Sequence, residues 1–598
     1  MADQPPKDQA NPFAAWLDFA GYAARAQAVM LDAMAQQSKT KDGFQLPDPR
    51  VVTDAFSKAA DKLTAEPDKL AEAQAELIRR QAALMQHMAK RLSGEDSEPV
   101  AAPAKGDKRF ADAAWTEQPL FDLIKQSYLI GAEWLQGTMR GLDDLDPATQ
   151  RKLEFYTRQW VDAVAPSNFL LTNPVALRAA VETKGESLRK GMEQLLGDLE
   201  KGRGRLAISM TDEKAFRLGE NVAVSPGKVV YQNELMQLIQ YAPATETVHR
   251  RPLLIVPPWI NKFYILDLRP KNSFIKWAVD QGLTVFVISW INPGRDLAHK
   301  SFEDYMVDGP LAALDAVAKA TGETDANVIG YCIGGTLTAC TLSVMQAKGD
   351  RRINSVTYFT ALTDFEDAGE LKVFIDEPQL AMLDRHLEEK GYLEGHHMAQ
   401  VFNMMRDNDL IWSFVVNNYL LGKEPFPFDL LYWNSDSTRM PAMMHRFYLR
   451  NMYLDNKVVQ PGGITLQGVP VDLRKVAVPT YILSTREDHI APWKATYAAT
   501  QLYSGPVRFV LAGSGHIAGV VNPPSANKYN YWTNDELPAV PDAWFAGAES
   551  HPGSWWGDWG AWIAAQSGEM VPARKPGGKK LKPIEDAPGS YVKMRLVE

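Results

Sequence analysis

The 598-residue chain is predicted to be an α/β protein with a largely parallel sheet, preceded by an all-helical region. Three observations predict this. Short apolar or β-branched runs recur at Val229–Gln232, Leu253–Val256, Leu283–Trp290, Asn327–Ile329, Ser355–Thr360, Pro479–Ser484 and Val507–Leu511. Helix-length segments, such as Ser273–Gln281 and Gly309–Ala320, lie between several of them. No strand pattern precedes residue 206.

Residues 1–92 read as helical. Pro12 stands where a helix starts, with Phe13, Trp16, Leu17 and Ala20 at helical spacing. Leu70, Leu77 and Leu84 then recur beside Ile78, Met85, Met88 and Leu92, an apolar stripe on a long charged helix. The stripe is expected to pack within the chain; a docking surface for a partner or a hydrophobic particle is the sharper alternative. Residues 93–108 (SGEDSEPVAAPAKGDK) have no apolar period and read as a linker or an ordered loop of low regularity. Helical patterning resumes at Phe110 and Trp115 and gives a helical domain over 109–205. The α/β domain occupies 206–598. Its alternation breaks at about 365–475, a stretch rich in Met, Trp, Tyr, Phe and Asn that reads as mostly helical.

Composition narrows the function. A hydrophobic content of 45% and a charged content of 23% are those of a globular protein, and a net charge of −9 gives no footing for wholesale nucleic-acid binding. Met1 to Ala10 lacks the basic and apolar regions of a signal peptide. The longest apolar runs, such as Leu283 to Ile291, fall far short of a membrane span. The two cysteines, Cys332 and Cys340, have no Cys/His cluster at metal-ligand spacing, so neither a disulfide framework nor a metal site is expected. A reducing compartment would keep a thiol usable.

The segment Asn327 to Ala339 organises the α/β domain. It reads as a short strand, a sharp turn and a helix, with Gly330-Tyr331-Cys332-Ile333-Gly334 at the turn. This G-x-C-x-G pattern is the nucleophile elbow of the α/β-hydrolase fold, with Cys where Ser is commoner. Small residues two before and two after the nucleophile let strand and helix pass closely. At a helix N-terminus, Cys332 would be favoured as thiolate. The N–H of Ile333 would face a developing oxyanion. The plainer alternative is a buried structural cysteine in a Gly-rich turn. In this fold the insertion at about 365–475 is expected to be a cap over the nucleophile.

The chain order nucleophile, acid, histidine sorts the candidates. His87, His249 and His299 precede Cys332, and His386, His396, His397 and His445 fall in the presumed cap. His489, His516 and His551 remain. Asp488 leaves the end of the strand Pro479–Ser484, with Glu487 as its rival. His489 adjoins the acid and cannot easily reach both partners. His551 follows no strand pattern. His516 lies in Gly513-Ser514-Gly515-His516-Ile517-Ala518-Gly519, just past the strand Val507–Leu511. The triad logic therefore selects Cys332, Asp488 and His516, with His516 deprotonating the thiol and Asp488 aligning the ring. A second oxyanion donor is expected after Leu253–Val256: the N–H of Ile260, with Asn261 next. Cys340 reads as core. A thiol nucleophile suits an acyl donor that is itself a thioester, because exchange between thiolates is nearly balanced.

Several stretches carry a resemblance. They are Val256 to Leu268 (VPPWINKFYILDL), Gly330 to Thr336 (GYCIGGT), Tyr432 to Asp436 (YWNSD), Arg486 to Trp493 (REDHIAPW) and Gly515 to Gly519 (GHIAG). Gly553 to Trp556 (GSWW) and Ala587 to Val592 (APGSYV) complete the set. From about residue 109 onward the chain resembles the polyhydroxyalkanoate synthases, and Trp259 with the Tyr331/Ile333 pair resembles their single-subunit class I, which prefers short-chain substrates. Trp433 resembles a family tryptophan near the site.

The resemblance implies polymerisation of (R)-3-hydroxyacyl-CoA, such as 3-hydroxybutyryl-CoA, into polyhydroxyalkanoate with release of CoA. It implies Cys332 as acyl carrier and His516 as its activator. Asp488 would either orient His516 or activate the substrate's 3-hydroxyl. It further implies a homodimer, a mobile cap and a place on the surface of cytoplasmic polymer granules. The helical N-terminal region would contact the granule or its associated proteins. No cofactor is expected, CoA thioester being substrate and CoA product. The competing expectation is a thiol-dependent esterase or polyester depolymerase on the same fold.

Overall fold

The computed structural model describes Phe44 and residues 46–595. The helical pattern at Pro12, Phe13, Trp16, Leu17 and Ala20 lies outside the described residues. The chain forms two compact units: Met1–Asp212 with Phe402–Phe426, and Glu213–Val401 with Pro427–Glu598.

Helices make up the first unit: α1 (Pro49–Ala65), α2 (Pro67–Leu92), α3 (Pro119–Arg140), α4 (Pro147–Ala163), α5 (Pro174–Glu182) and α6 (Glu186–Lys201). Three of them start with one device. Asp48, Asp146 and Asn173 cap α1, α4 and α5 through their side chains, and proline follows at the first helical position. Each such cap contributes about 1 kcal/mol, and the missing proline N–H removes a donor that has no intrahelical partner.

The stripe on α2 faces inward. Leu84 and Met88 are buried with Ala101, Phe110, Trp115, Leu129 and Ile130, and Leu77 packs beside them. Ile78, Met85 and Leu92 stay exposed. Buried Asp122 of α3 ties α2 in place, pairing with Arg91 at 2.5 Å, His87 at 3.3 Å and its own-helix Lys125 at 3.0 Å.

Val100 and Ala101 donate their N–H groups to Gln126 Oε1 at 2.7 and 3.2 Å. The stretch expected as one cap, about 365–475, is divided. Residues 402–426 pack with the helices because Gln159 donates to the Met404 carbonyl at 2.8 Å and Tyr419 to Asp198 at 2.6 Å. Gly191 permits the approach: a Cβ there would lie 1.9 Å from the Tyr419 oxygen.

The second unit is built on an eleven-stranded sheet. Its strands are β1 (Gly227–Gln232), β2 (Met236–Tyr241), β3 (Leu253–Val256), β4 (Val285–Trp290), β5 (Ala326–Tyr331) and β6 (Ile353–Phe359). They continue with β7 (Thr480–Thr485), β8 (Val507–Ala512), β9 (Asn530–Thr533), β10 (Glu549–Pro552) and β11 (Glu585–Asp586). The order is β10-β9-β8-β7-β6-β5-β3-β4-β2-β1-β11. The strands from β4 through β3, β5, β6 and β7 to β8 run parallel, and antiparallel pairs flank them on both sides.

Every residue of β3, β4 and β5 is buried, the mark of strands covered on both faces. The helix expected at Ser273–Gln281 is Phe274–Asp280, capped by the Ser273 hydroxyl on the Lys276 N–H. The helix expected at Gly309–Ala320 is Ala312–Thr321, stopped by Gly322 in the left-handed region.

Four strands of this sheet escaped the sequence reading. β2 (MQLIQY) is fully buried yet carries two glutamines. Gln237 is satisfied by Gln232, Glu585, Ser590 and the Tyr591 N–H, and Gln240 Oε1 accepts the Gly577 N–H. The C-terminal segment thus makes a polar strand compatible with burial. β9, β10 and β11 are partly exposed flanking strands with mixed polarity.

Candidate active site

Cys332 stands between β5 and helix α7 (Ile333–Ala347), with φ 51° and ψ −126°. That left-handed backbone costs a non-glycine residue about 1–3 kcal/mol and is characteristic of functional turns. Its neighbours show why the turn needs glycine. A Cβ on Gly334 would lie 2.2 Å from the Val256 oxygen, one on Gly335 2.3 Å from the Ala361 Cβ, and one on Gly330 2.5 Å from the Gly335 Cα. Strand, helix and the loop after β3 therefore meet at van der Waals contact. The Cys332 N–H is tied to the Phe359 carbonyl at 2.9 Å, which fixes the turn to β6. Ile333 opens the helix, where its N–H belongs to the unpaired first turn.

The structure brings Asp488 and His516 to this turn. Asp488 leaves β7 and His516 leaves β8, two adjacent parallel strands. His516 Nδ1 lies 2.7 Å from Asp488 Oδ2, and both residues are buried. Asp488 is itself fixed, since Oδ1 accepts the N–H groups of Ile490 and Ala491 at 2.9 and 2.8 Å and Oδ2 accepts the Thr485 hydroxyl at 3.1 Å. Burial pushes the imidazole pKa down. The charges of Asp488 and Cys332, and hydrogen bonds to both, outweigh that and raise it to about 10. The ring is thus bonded through Nδ1 to the carboxylate and lies within electrostatic reach of the sulfur. Glu487 is exposed, so the rival acid is turned away from the site. His551 bonds the Thr533 hydroxyl at 2.8 Å and stacks on Tyr531 within the β9–β10 pair. Cys340 is fully buried in α7, and burial pushes its thiol up to about 12.

The loop after β3 carries Ile260 and is clamped. The Thr438 hydroxyl donates to the carbonyls of Trp259 and Ile260, and the Thr438 N–H donates to Ile260 at 3.1 Å. Lys262 Nζ pairs with Asp436 at 2.8 Å and donates to the carbonyls of Val592 and Met594; Tyr264 donates to the other Asp436 oxygen at 2.9 Å. Trp433 donates its indole N–H to the Lys262 carbonyl at 2.7 Å. Three of the resembling stretches thus join in one buried polar cluster that braces this loop.

Sequence reasoning missed two tyrosines. Tyr448 and Tyr453 are buried and pack edge to face, ring centroids 5.5 Å apart; burial first, then the charge of Tyr453 on one and of Cys332 on both, raise their pKa values. Their only sequence signal is the aromatic richness of the insertion. Tyr331 closes the far side, its hydroxyl donating to the His516 carbonyl at 3.3 Å.

A strained elbow in mid-sheet, met by an Asp–His pair from the next strand ends, defines an α/β-hydrolase-fold enzyme laid out for acyl transfer. Residues 253–523 match the family model of the alpha/beta hydrolase fold, and residues 106–278 that of the poly-beta-hydroxybutyrate polymerase (PhaC) N-terminus. The chain is 51% identical to a poly(3-hydroxyalkanoate) polymerase of Methylorubrum extorquens over 91% of this chain and 90% of that one. It is 49% identical to the polymerase subunit PhaC of Rhizobium meliloti (90% and 88% covered), and 46% to that of Cupriavidus necator (82% and 83%). The chain belongs to the poly(3-hydroxyalkanoate) polymerase family. Among the described residues no helix is long and apolar enough to cross a membrane.

Proposed function

We propose that this enzyme polymerises (R)-3-hydroxyacyl-CoA, of short chain such as 3-hydroxybutyryl-CoA, through an acyl thioester on Cys332. The observation that carries the reading is the buried imidazole of His516, bonded to Asp488 at 2.7 Å and raised in pKa by the charges of Asp488 and of Cys332 at the strained elbow. The Cys332 proton passes to His516 Nε2, and the sulfur attacks the thioester carbonyl. The N–H groups of Ile333 and Ile260 receive the oxyanion. The carbon–sulfur bond to CoA breaks, and CoA leaves with the proton from the ring. The neutral ring then takes the proton of an incoming 3-hydroxyl as its oxygen attacks the acyl carbon, and Cys332 departs as thiolate. Both Asp488 oxygens are engaged by the ring, Thr485 and backbone N–H groups, which favours an orienting role over direct action on the substrate hydroxyl. The chemistry calls on no cofactor, since the thioester is already activated.

The family relationship further supports a homodimer on the surface of cytoplasmic polymer granules. Incubation with (R)-3-hydroxybutyryl-CoA tests the reading: free CoA together with insoluble polymer is expected. CoA accompanied by free hydroxy acid alone would make the protein a hydrolase instead.

A further inference from the structure

We propose that His386, Glu394 and His397 form a three-ligand site for a divalent transition metal of the zinc type. Among the described residues, these are the three metal-capable side chains whose ligand atoms all lie within 4.8 Å of one another. His386 comes from the helix Glu377–Lys390, Glu394 follows the short strand Tyr392–Leu393, and His397 lies in the first turn of the helix Gly395–Met405. Glu394 Oε2 is 2.7 Å from His386 Nε2 and 3.9 Å from His397 Nε2. The second distance is too long for a hydrogen bond. Two ligands at tetrahedral angles on zinc, with bonds near 2.0–2.1 Å, stand about 3.3 Å apart. The two observed separations bracket that value, so small rotamer adjustments would bring all three groups onto one ion. Two imidazoles and a carboxylate are a donor set for zinc and its neighbours rather than for magnesium or calcium, which take oxygen. The expectation of no zinc site rested on the two cysteines, neither of which belongs to this cluster.

The position gives the ion a structural task. The helix that carries His386 also carries Asp384, which binds Arg446 and Arg450, each at 2.7 Å. Tyr392–Leu393 pairs with Met440–Pro441, and the Gly391 carbonyl accepts the Ala442 N–H at 3.0 Å. The segment so gripped bears Tyr448 and Tyr453, a buried edge-to-face aromatic wall. An ion at the cluster would stitch two helices into the support of that wall. The site stands independently of the acyl chemistry.

The test uses untagged full-length protein with Cys332→Ala, which removes the thiol–imidazole pair as a competing metal site, after dialysis against a chelator. Titration with Co²⁺ is expected to give a saturable visible d–d spectrum of a four- or five-coordinate ion, and Zn²⁺ calorimetry one ion per chain. Glu394→Gln, which preserves shape, and His397→Ala should each weaken Zn²⁺ binding at least about tenfold and erase the Co²⁺ band. Zn²⁺ should raise the melting temperature of the parent but not of the Glu394→Gln protein. Absence of a saturable Co²⁺ spectrum in the parent, or a spectrum unchanged in both variants, overturns the site.

Discussion

Trp555 donates its indole N–H to the Gly519 carbonyl at 2.9 Å, and the Gly519 N–H returns to the Gly515 carbonyl at 2.9 Å across the turn that holds His516. Trp556 repeats the contact on Val520 at 2.9 Å. The two tryptophans also pack against Phe274, in the sheet's aromatic core. The Gly-rich loop is thereby anchored from a distant part of the chain. Trp555→Phe would keep much of the apolar filling but strand a buried carbonyl, a cost of about 1–3 kcal/mol. The loss in turnover should exceed that in stability, because a small displacement of His516 can cost up to about a hundredfold in rate. Thermal melts alongside kcat will show whether the two effects separate. Parallel losses would reduce the contact to simple packing.

The two cysteines should behave oppositely. Cys332→Ala is expected to abolish turnover and covalent labelling by acyl-CoA while leaving the fold intact. Cys340→Ser places a hydroxyl in a dry helix interior and should lower stability by about 1–3 kcal/mol with activity retained. Alkylation of the native protein should modify Cys332 alone, because burial keeps Cys340 protonated and covered. Mass spectrometry after brief iodoacetamide treatment decides this, and a Cys340 adduct in folded protein would show that the wrong thiol was chosen.

His516 should give stability a pH signature. Its folded pKa of about 10 lies above the ordinary histidine value of 6.5, so between those limits the folded chain holds a proton that the unfolded chain has lost. The stabilisation from this group is complete below about pH 6.5 and is lost as pH rises through about 10. Asp488→Asn removes the largest upward influence on the ring. Urea midpoints measured at pH 6.5 and pH 10 should converge in that variant relative to the parent. The same variant separates the two roles of the acid: equal loss of acylation and elongation fits an orienting carboxylate, whereas acylation surviving elongation fits action on the substrate hydroxyl.

The legible parts of this molecule are those whose cause is local. The elbow could be read because Gly330, Gly334 and Gly335 are forced by contacts within a few residues of Cys332 or with the next strand. β3, β4 and β5 could be read because strands covered on both faces are largely apolar along their length. β2 could not, because its glutamines find partners more than three hundred residues away. Asp488 and His516 were selected by order and by their place after strands, while Tyr448 and Tyr453 were not singled out, since nothing in an aromatic-rich helical stretch says which rings turn inward. The assignment of 402–426 to the helical unit likewise rests on contacts such as Tyr419 with Asp198, which no local pattern encodes.

The pair Lys262–Asp436 carries the last prediction. Both groups are buried, and burial pushes the lysine pKa down against the pull of Asp436. The pair is closed by Tyr264 and by two backbone carbonyls, so nearly every polar atom has a partner. Lys262→Met alone leaves Asp436 buried without its counter-charge, at a cost of about 3–5 kcal/mol. Asp436→Asn alone leaves the ammonium in the same position. Combining Lys262→Met with Asp436→Leu removes both charges and should recover much of the stability, because desolvation offsets most of what a buried pair contributes. Activity should not recover with it. Ser437 and Thr438 adjoin Asp436 and hold the Trp259–Asn261 loop, so the double variant can fold while the proposed Ile260 donor drifts. A double-mutant cycle in urea beside kcat/KM for (R)-3-hydroxybutyryl-CoA measures both. If activity returns in step with stability, the cluster is a structural rivet and has no share in aligning the loop.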